Sequence, residues 1–127
     1  MMLYQNILLI DDDEDDQEIF LTALESTGKP VQCTVLDSAR KALTKIVKGE
    51  IETDLIFLDL NMPLMNGQQF LTEIKKDVKL REIPVVILST SSNSATIAQV
   101  AELGAGRFFT KPGRFEDLVA ILNDVLE

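Results

Sequence analysis

Histidine is absent from this chain of 127 residues, and cysteine occurs once, at Cys33. A cation site, if there is one, must therefore be built from oxygen ligands, which suit hard ions. One cysteine cannot close an internal disulfide, and the opening MMLYQN lacks both the basic n-region and the apolar h-region of a signal peptide. A reducing cytoplasm is the expected location. No uninterrupted apolar stretch approaches the roughly 18 residues that span a bilayer, so no membrane partner is expected. Bases are scarce as well: 12 Lys and Arg stand against 21 Asp and Glu, for a net charge of -9. Such a surface repels phosphate backbones, which argues against nucleic acid as a partner. Linkers, repeats and low-complexity tracts are also missing. Residues 1–127 read as one domain with no output module attached.

What is present is enough apolar material, 46% of the chain, to bury a real core. Short apolar runs at Ile7 to Ile10, Leu55 to Leu58, Val85 to Leu88 and Phe108 to Phe109 have the length of buried strands, and Val31, Cys33 and Val35 alternate like a fifth. Between them the apolar residues recur at helical spacing: Ile19, Phe20, Ala23 and Leu24; Ala39, Ala42, Leu43, Ile46 and Val47; Phe70, Leu71 and Ile74; Ile97, Ala98 and Ala101; Phe115, Leu118, Val119, Leu122 and Leu126. Gly28, Gly49 and Gly104 each follow such a pattern where a left-handed cap is wanted. The order is βα repeated five times, which predicts an α/β, doubly wound, five-stranded parallel sheet with helices on both faces.

Ligands of open α/β sheets bind beyond the carboxyl ends of the strands. The residues there are Asp11, Asp12 and Asp13 after the first strand, Asp59 after the third, Ser89 and Thr90 at the fourth, and Lys111 after the fifth. Carboxylates converging at one edge repel one another unless a cation intervenes, and an all-oxygen set points to Mg²⁺. Mg²⁺ takes one or two carboxylates and completes its shell with phosphate oxygens, so phosphoryl chemistry is the natural partner. Asp59 can then serve as nucleophile, with Asp12 on the metal and Lys111 and Ser89 on the phosphoryl oxygens.

The segments Ile7-Leu-Leu-Ile-Asp-Asp12, Asp54-Leu-Ile-Phe-Leu-Asp59-Leu-Asn-Met-Pro63 with Asn66-Gly67, Pro84-Val-Val-Ile-Leu-Ser89 and Phe108-Phe-Thr-Lys111-Pro112 resemble the receiver domains of two-component signalling. The resemblance spans essentially the whole chain and is of the single-domain, chemotaxis-regulator type. It implies a flavodoxin-like fold with strand order 2-1-3-4-5. It further implies Asp59 as phosphoacceptor and metal ligand, Asp12 as direct Mg²⁺ ligand, Asp11 as ligand through water, and Asn61 as contributor of a backbone carbonyl. Ser89 and Lys111 would bind the phosphoryl group. Phe108 would be the aromatic switch residue, and the Lys111-Pro112 bond would be cis. The donor would be a sensor histidine kinase or a histidine phosphotransfer protein. Output would pass by protein contact or phosphoryl relay, from a monomer or weak dimer, and the chain would accept phosphate rather than act as an enzyme.

Some positions admit plainer readings. Glu14, Asp15 and Asp16 open a helix, where acids simply complement the macrodipole. The choice of Asp11 and Asp12 depends on the first strand ending at Ile10. Ser89 stands beside a second hydroxyl, Thr90, and is preferred because it lies five residues after Pro84; Phe108 would also serve as plain core. Two other functions compete with the receiver reading. One is a Mg²⁺-dependent phosphohydrolase of the haloacid-dehalogenase type, whose first motif Asp11-x-Asp13 imitates, although Asp15 stands where threonine or valine is usual. The other is a binding module that never accepts phosphate.

Overall fold

The computed structural model describes residues 4–91 and 93–127, so Met1 to Leu3 of the opening stretch fall outside the described residues. Strands β1 (Asn6–Ile10), β2 (Gln32–Leu36), β3 (Leu55–Leu58), β4 (Val85–Ser89) and β5 (Arg107–Thr110) alternate with helices α1 (Glu14–Ser26), α2 (Ala39–Val47), α3 (Gly67–Lys76), α4 (Ser94–Glu102) and α5 (Phe115–Leu126). All strand pairs are parallel, in the order β2-β1-β3-β4-β5. This is the flavodoxin-like α/β fold that the sequence predicts.

Two apolar layers hold the sheet. Leu8, Ile10, Ile56, Leu58, Val85 and Ile87 face α2, α3 and α4. Ile7, Leu9, Leu55, Phe57, Val86 and Leu88 face α1 and α5. Alternate residues of each central strand thus enter opposite cores, which is why these strands read as continuous apolar runs. Across the second layer, the Phe20 and Phe57 rings meet edge to face at 5.0 Å.

Parallel pairing brings the strand ends to one edge: Ile10 aligns with both Leu36 and Leu58, Leu58 with Ile87, and Ser89 with Thr110. The first strand does end at Ile10, so Asp11 and Asp12 are the residues that leave it. Helix starts are capped locally. Asp13 accepts from the Asp16 N–H, Ser38 from Lys41, and Asn93 from Thr96, while Asn66 and Gln69 form a reciprocal capping box.

The helical faces are narrower than the spacing implies. Ile19 is 47% exposed, and Val47 and Phe115 are exposed too. On α4 the inward residues are Val100, which is buried, and Thr96 and Leu103, which are partly so; Ile97, Ala98 and Ala101 are exposed. This helix has only the β4–β5 margin beneath it, so one narrow stripe suffices. No peptide among the described residues is cis, so the expected cis Lys111-Pro112 bond is instead trans. Trans is the lower-energy isomer even before proline, by about 0.5–1 kcal/mol.

Candidate functional site

Asp11 and Asp59 leave adjacent strands, and each is tied by its own backbone. The Asp11 N–H donates to the Leu36 carbonyl (3.1 Å) and the Asp59 N–H to the Ile10 carbonyl (3.0 Å). Both residues lie deep, at 3% and 6% exposure overall, whereas Asp12 is exposed. Oxygen atoms of Asp11, Asp12 and Asp59 nevertheless all fall within 4.8 Å of one another. The Asp13 N–H donates to Asp11 Oδ1 (3.0 Å), the Asn61 N–H to Asp59 Oδ1 (3.3 Å), and Gln17 Nε2 to the Asp11 carbonyl (2.6 Å). The first two contacts orient the carboxylates and the third holds the Asp11 backbone before any ligand arrives.

Lys111 enters from the end of β5, held by its own N–H donating to the Ser89 carbonyl (2.8 Å). Its Nζ lies 2.9 Å from Asp11, 2.7 Å from Asp16 and 3.4 Å from Asp59. Burial pushes the Asp11 and Asp59 carboxyls above their usual range, against the pull of Lys111. Burial alone would lower Lys111. The hydrogen bonds to Asp11 and Asp16 and the charges of Asp59 and Asp11 outweigh it and hold the ammonium above its ordinary value. Burial thus dominates at the two acids, while at the lysine the surrounding carboxylates dominate, and three acids face one ammonium. A divalent cation between Asp11, Asp12 and Asp59 would correct that imbalance, and the donor set is entirely oxygen.

Ser89 is fully buried at the end of β4 and Thr90 is exposed, which separates the two hydroxyls by orientation. The Ser91 N–H reaches Ser89 Oγ at 3.3 Å, and Asn61 Nδ2 donates to Ser91 Oγ at 3.0 Å. Phe108, aligned with Ile87, is half-buried against the α2–α4 core. The loop between β3 and α3 is pinned at its base, where the Gly67 N–H donates to the Leu60 carbonyl (3.0 Å). A Cβ on Gly67 would lie 2.8 Å from the Asp59 carbonyl oxygen, so only glycine lets α3 start this close to the acid. At the loop's tip Leu64 is exposed with φ 69.

Asp16 stands in the first turn of α1, as the sequence reading has it, and makes a further contact which that reading lacks. Glu14 and Asp15 are exposed first-turn acids as expected, but the Asp16 carboxylate is a close partner of Lys111. Asp16 follows the cap Asp13 by three residues and leans back toward the strand edge, but its partner lies 95 residues away and no local pattern signals it.

A five-stranded sheet in this order, with acids and a lysine gathered at its carboxyl edge, defines a class of phosphoryl-accepting switches. The response regulator receiver domain family matches residues 7–123, and the chain belongs to that family. It is thus a two-component response-regulator receiver, not a classical enzyme of the haloacid-dehalogenase type. Among its relatives, the two-component response regulator ORR11 of Oryza sativa subsp. indica is 33% identical over 121 residues, covering 95% of this chain and 80% of that protein. Response regulator Rcp1 of Synechocystis sp. is 31% identical over 124 residues, covering 94% and 84%. The solved structure of the phosphorylated cyanobacterial phytochrome response regulator RcpA superposes with a TM-score of 0.87 at 30% identity, covering 96% of this chain and 91% of that one. The Mn²⁺-bound form of Rcp1 gives 0.83 at 28% identity, covering 95% and 91%. Among the described residues, no helix is long and apolar enough to cross a membrane.

Proposed function

We propose that this receiver is phosphorylated on Asp59 in a Mg²⁺-dependent reaction, with a sensor histidine kinase or histidine phosphotransfer protein as donor. The observation that carries this reading is the convergence of Lys111, Asp11 and Asp12 on a buried Asp59. An Asp59 oxygen attacks the donor's phosphorus; the new P–O bond forms as the P–N bond to the donor imidazole breaks, and the imidazole leaves with the electron pair. Having no histidine, the chain cannot supply that donor itself.

The divalent ion, held by Asp12 and Asp59 directly, by Asp11 through water and by the Asn61 carbonyl, would supply charge neutralisation for the incoming phosphoryl group. Mg²⁺ fits the all-oxygen donor set, and a Mn²⁺-bound form is known for the relative Rcp1. Lys111 grips a second phosphoryl oxygen and the Ser89 hydroxyl donates to a third, while the Asn61 N–H keeps the Asp59 carboxylate oriented. Drawing Ser89 toward the phosphoryl group opens space beside β4, and Phe108 turns into it. Thr90, being exposed, is left out of that motion. The face made by α4, β5 and α5 then changes shape and signals by protein contact or by onward relay, in the cytoplasm, as a monomer or weak dimer.

The test is modification by acetyl phosphate and Mg²⁺, read by intact mass and peptide mapping. Wild type should carry one phosphoryl group on Asp59, and Asp59→Asn should carry none. An acyl phosphate mapped to Asp11, Asp12 or Asp13 would overturn the assignment.

A further inference from the structure

Lysine has three N–H donors and no more. In this structure all three are engaged, by Asp11, Asp16 and Asp59. The reading of Asp59 as phosphoacceptor, on which this inference rests, requires Lys111 to donate to a phosphoryl oxygen as well. The phosphoryl group, carried by Asp59, takes that acid's place on the ammonium, and Lys111 must move toward it from 3.4 Å, away from the closer contacts with Asp11 and Asp16.

The three partners differ in what release would cost. Asp11 is 4% exposed at its side chain and would be left buried and short of a hydrogen bond, while Asp59, 8% exposed, keeps the lysine through the phosphoryl group it carries. The Asp16 side chain is 38% exposed and can exchange the ammonium for water. It also forms the shortest of the three contacts, 2.7 Å against 3.4 Å for Asp59, so in the resting protein the lysine is drawn away from the acceptor. Among the described residues the Asp16 side chain has no other hydrogen-bond partner, since the cap at Asp13 uses the Asp16 backbone N–H. A cavity of about 70 Å³ lies on the Asp16 side of the ammonium, lined by Asp11, Asp16, Phe20 and Pro112, so the Asp16 carboxylate is not packed in place.

We propose that Asp16 is a positioning residue that parks Lys111 in the unphosphorylated state and hands it to the phosphoryl group on activation. Asp16 then competes with the phosphoryl group for one ammonium, and its strength sets how readily the receiver turns on. A half-exposed ion pair has a modest free energy, so the competition is worth about twofold to fivefold in affinity.

Beryllofluoride titrated at saturating Mg²⁺ measures this, with binding followed by amide NMR. Asp16→Ala should bind beryllofluoride about twofold to fivefold more tightly than wild type, and Asp16→Asn should fall between them. Asp15→Asn removes the same charge from the same exposed turn without touching Lys111, and should match wild type. In a Lys111→Met background, Asp16→Ala should have no effect, because the residue acts only through the lysine. The ¹⁵N resonance of Lys111 Nζ should also shift in Asp16→Ala before any beryllofluoride is added. Unchanged or weaker binding in Asp16→Ala, an equal gain in Asp15→Asn, or a gain that survives Lys111→Met would each overturn the proposal. Failure of the underlying reading looks different: wild type itself would then show no beryllofluoride adduct at Asp59.

Discussion

The central strands and the edge strand β5 are built to opposite standards. On β1, β3 and β4 nearly every residue is buried, and these strands position Asp11, Asp59 and Ser89. On β5, Arg107 and Thr110 are exposed and Phe108 and Phe109 half-buried, and this strand carries Lys111 and the Phe108 ring. Acids that must hold a fixed geometry stand on the rigid half. The lysine and the aromatic, which change partners in the proposed function, are carried by the strand whose own packing is thinnest.

The largest effect that would test this contrast is a pair of truncations. Phe57→Ala empties a fully buried site against Phe20 and should cost about 3–5 kcal/mol in urea unfolding. Phe109→Ala, which loses partial burial and an Arg107 guanidinium at 4.8 Å, should cost about 1–2 kcal/mol. Equal losses would erase the distinction between centre and edge.

Next in size is the ion. Mg²⁺ at a hundredfold excess over its dissociation constant should add about 2.7 kcal/mol, seen as a rise in melting temperature, and Asp12→Asn should remove most of that rise. An identical Mg²⁺ dependence in the variant would refute the ligand assignment.

Smaller still is a pH effect on the metal-free protein. Burial raises Asp11 and Asp59 above their unfolded values, so folding takes up protons and their contribution to stability falls as pH rises through the raised carboxyl range. Lys111, also raised, contributes stability that is complete below the ordinary lysine value and is lost as pH climbs through its folded value. Asp54 opposes the buried pair. Hydrogen bonds from the Gln5 and Asn6 N–H groups lower it, so its contribution is lost on acidification. The comparison that isolates the pocket is therefore wild type against Asp59→Asn without metal. The variant should be the more stable at neutral pH, with the gap closing toward about pH 4. A constant gap would show that burial of Asp59 is not the cause.

The subtlest expected change is in coupling. Ser89→Ala should still be modified at Asp59 but show smaller beryllofluoride-induced NMR shifts at Ala101, Phe108 and Leu118, since a ligand biases two states only by its differential contacts. A full wild-type shift pattern would remove Ser89 from the switch.

The same division decides what could be read from the chain. Ile7 to Ile10, Leu55 to Leu58 and Val85 to Leu88 are buried on both faces, so their patterns are continuous and their ends sharp; the site residues follow directly from those ends. At the margins the signal fails. Ile97, Ala98 and Ala101 have the spacing of a buried face, but α4 covers only the sheet's edge and turns Val100 inward instead. The Asp16 contact was beyond reach for another reason: it joins residues 95 apart through the last atoms of a long side chain, and no local pattern encodes it.

Gly67 has a consequence for how such a chain can diversify. Because its N–H closes on Leu60, the exposed tip at Pro63 and Leu64 hangs from a finished base and behaves as an exchangeable cartridge. Lengthening the loop costs only loop-closure entropy, about 0.6 kcal/mol per doubling, and leaves Asp59 where it is. The exposed tip can vary in sequence while Asp59 beneath it keeps its place.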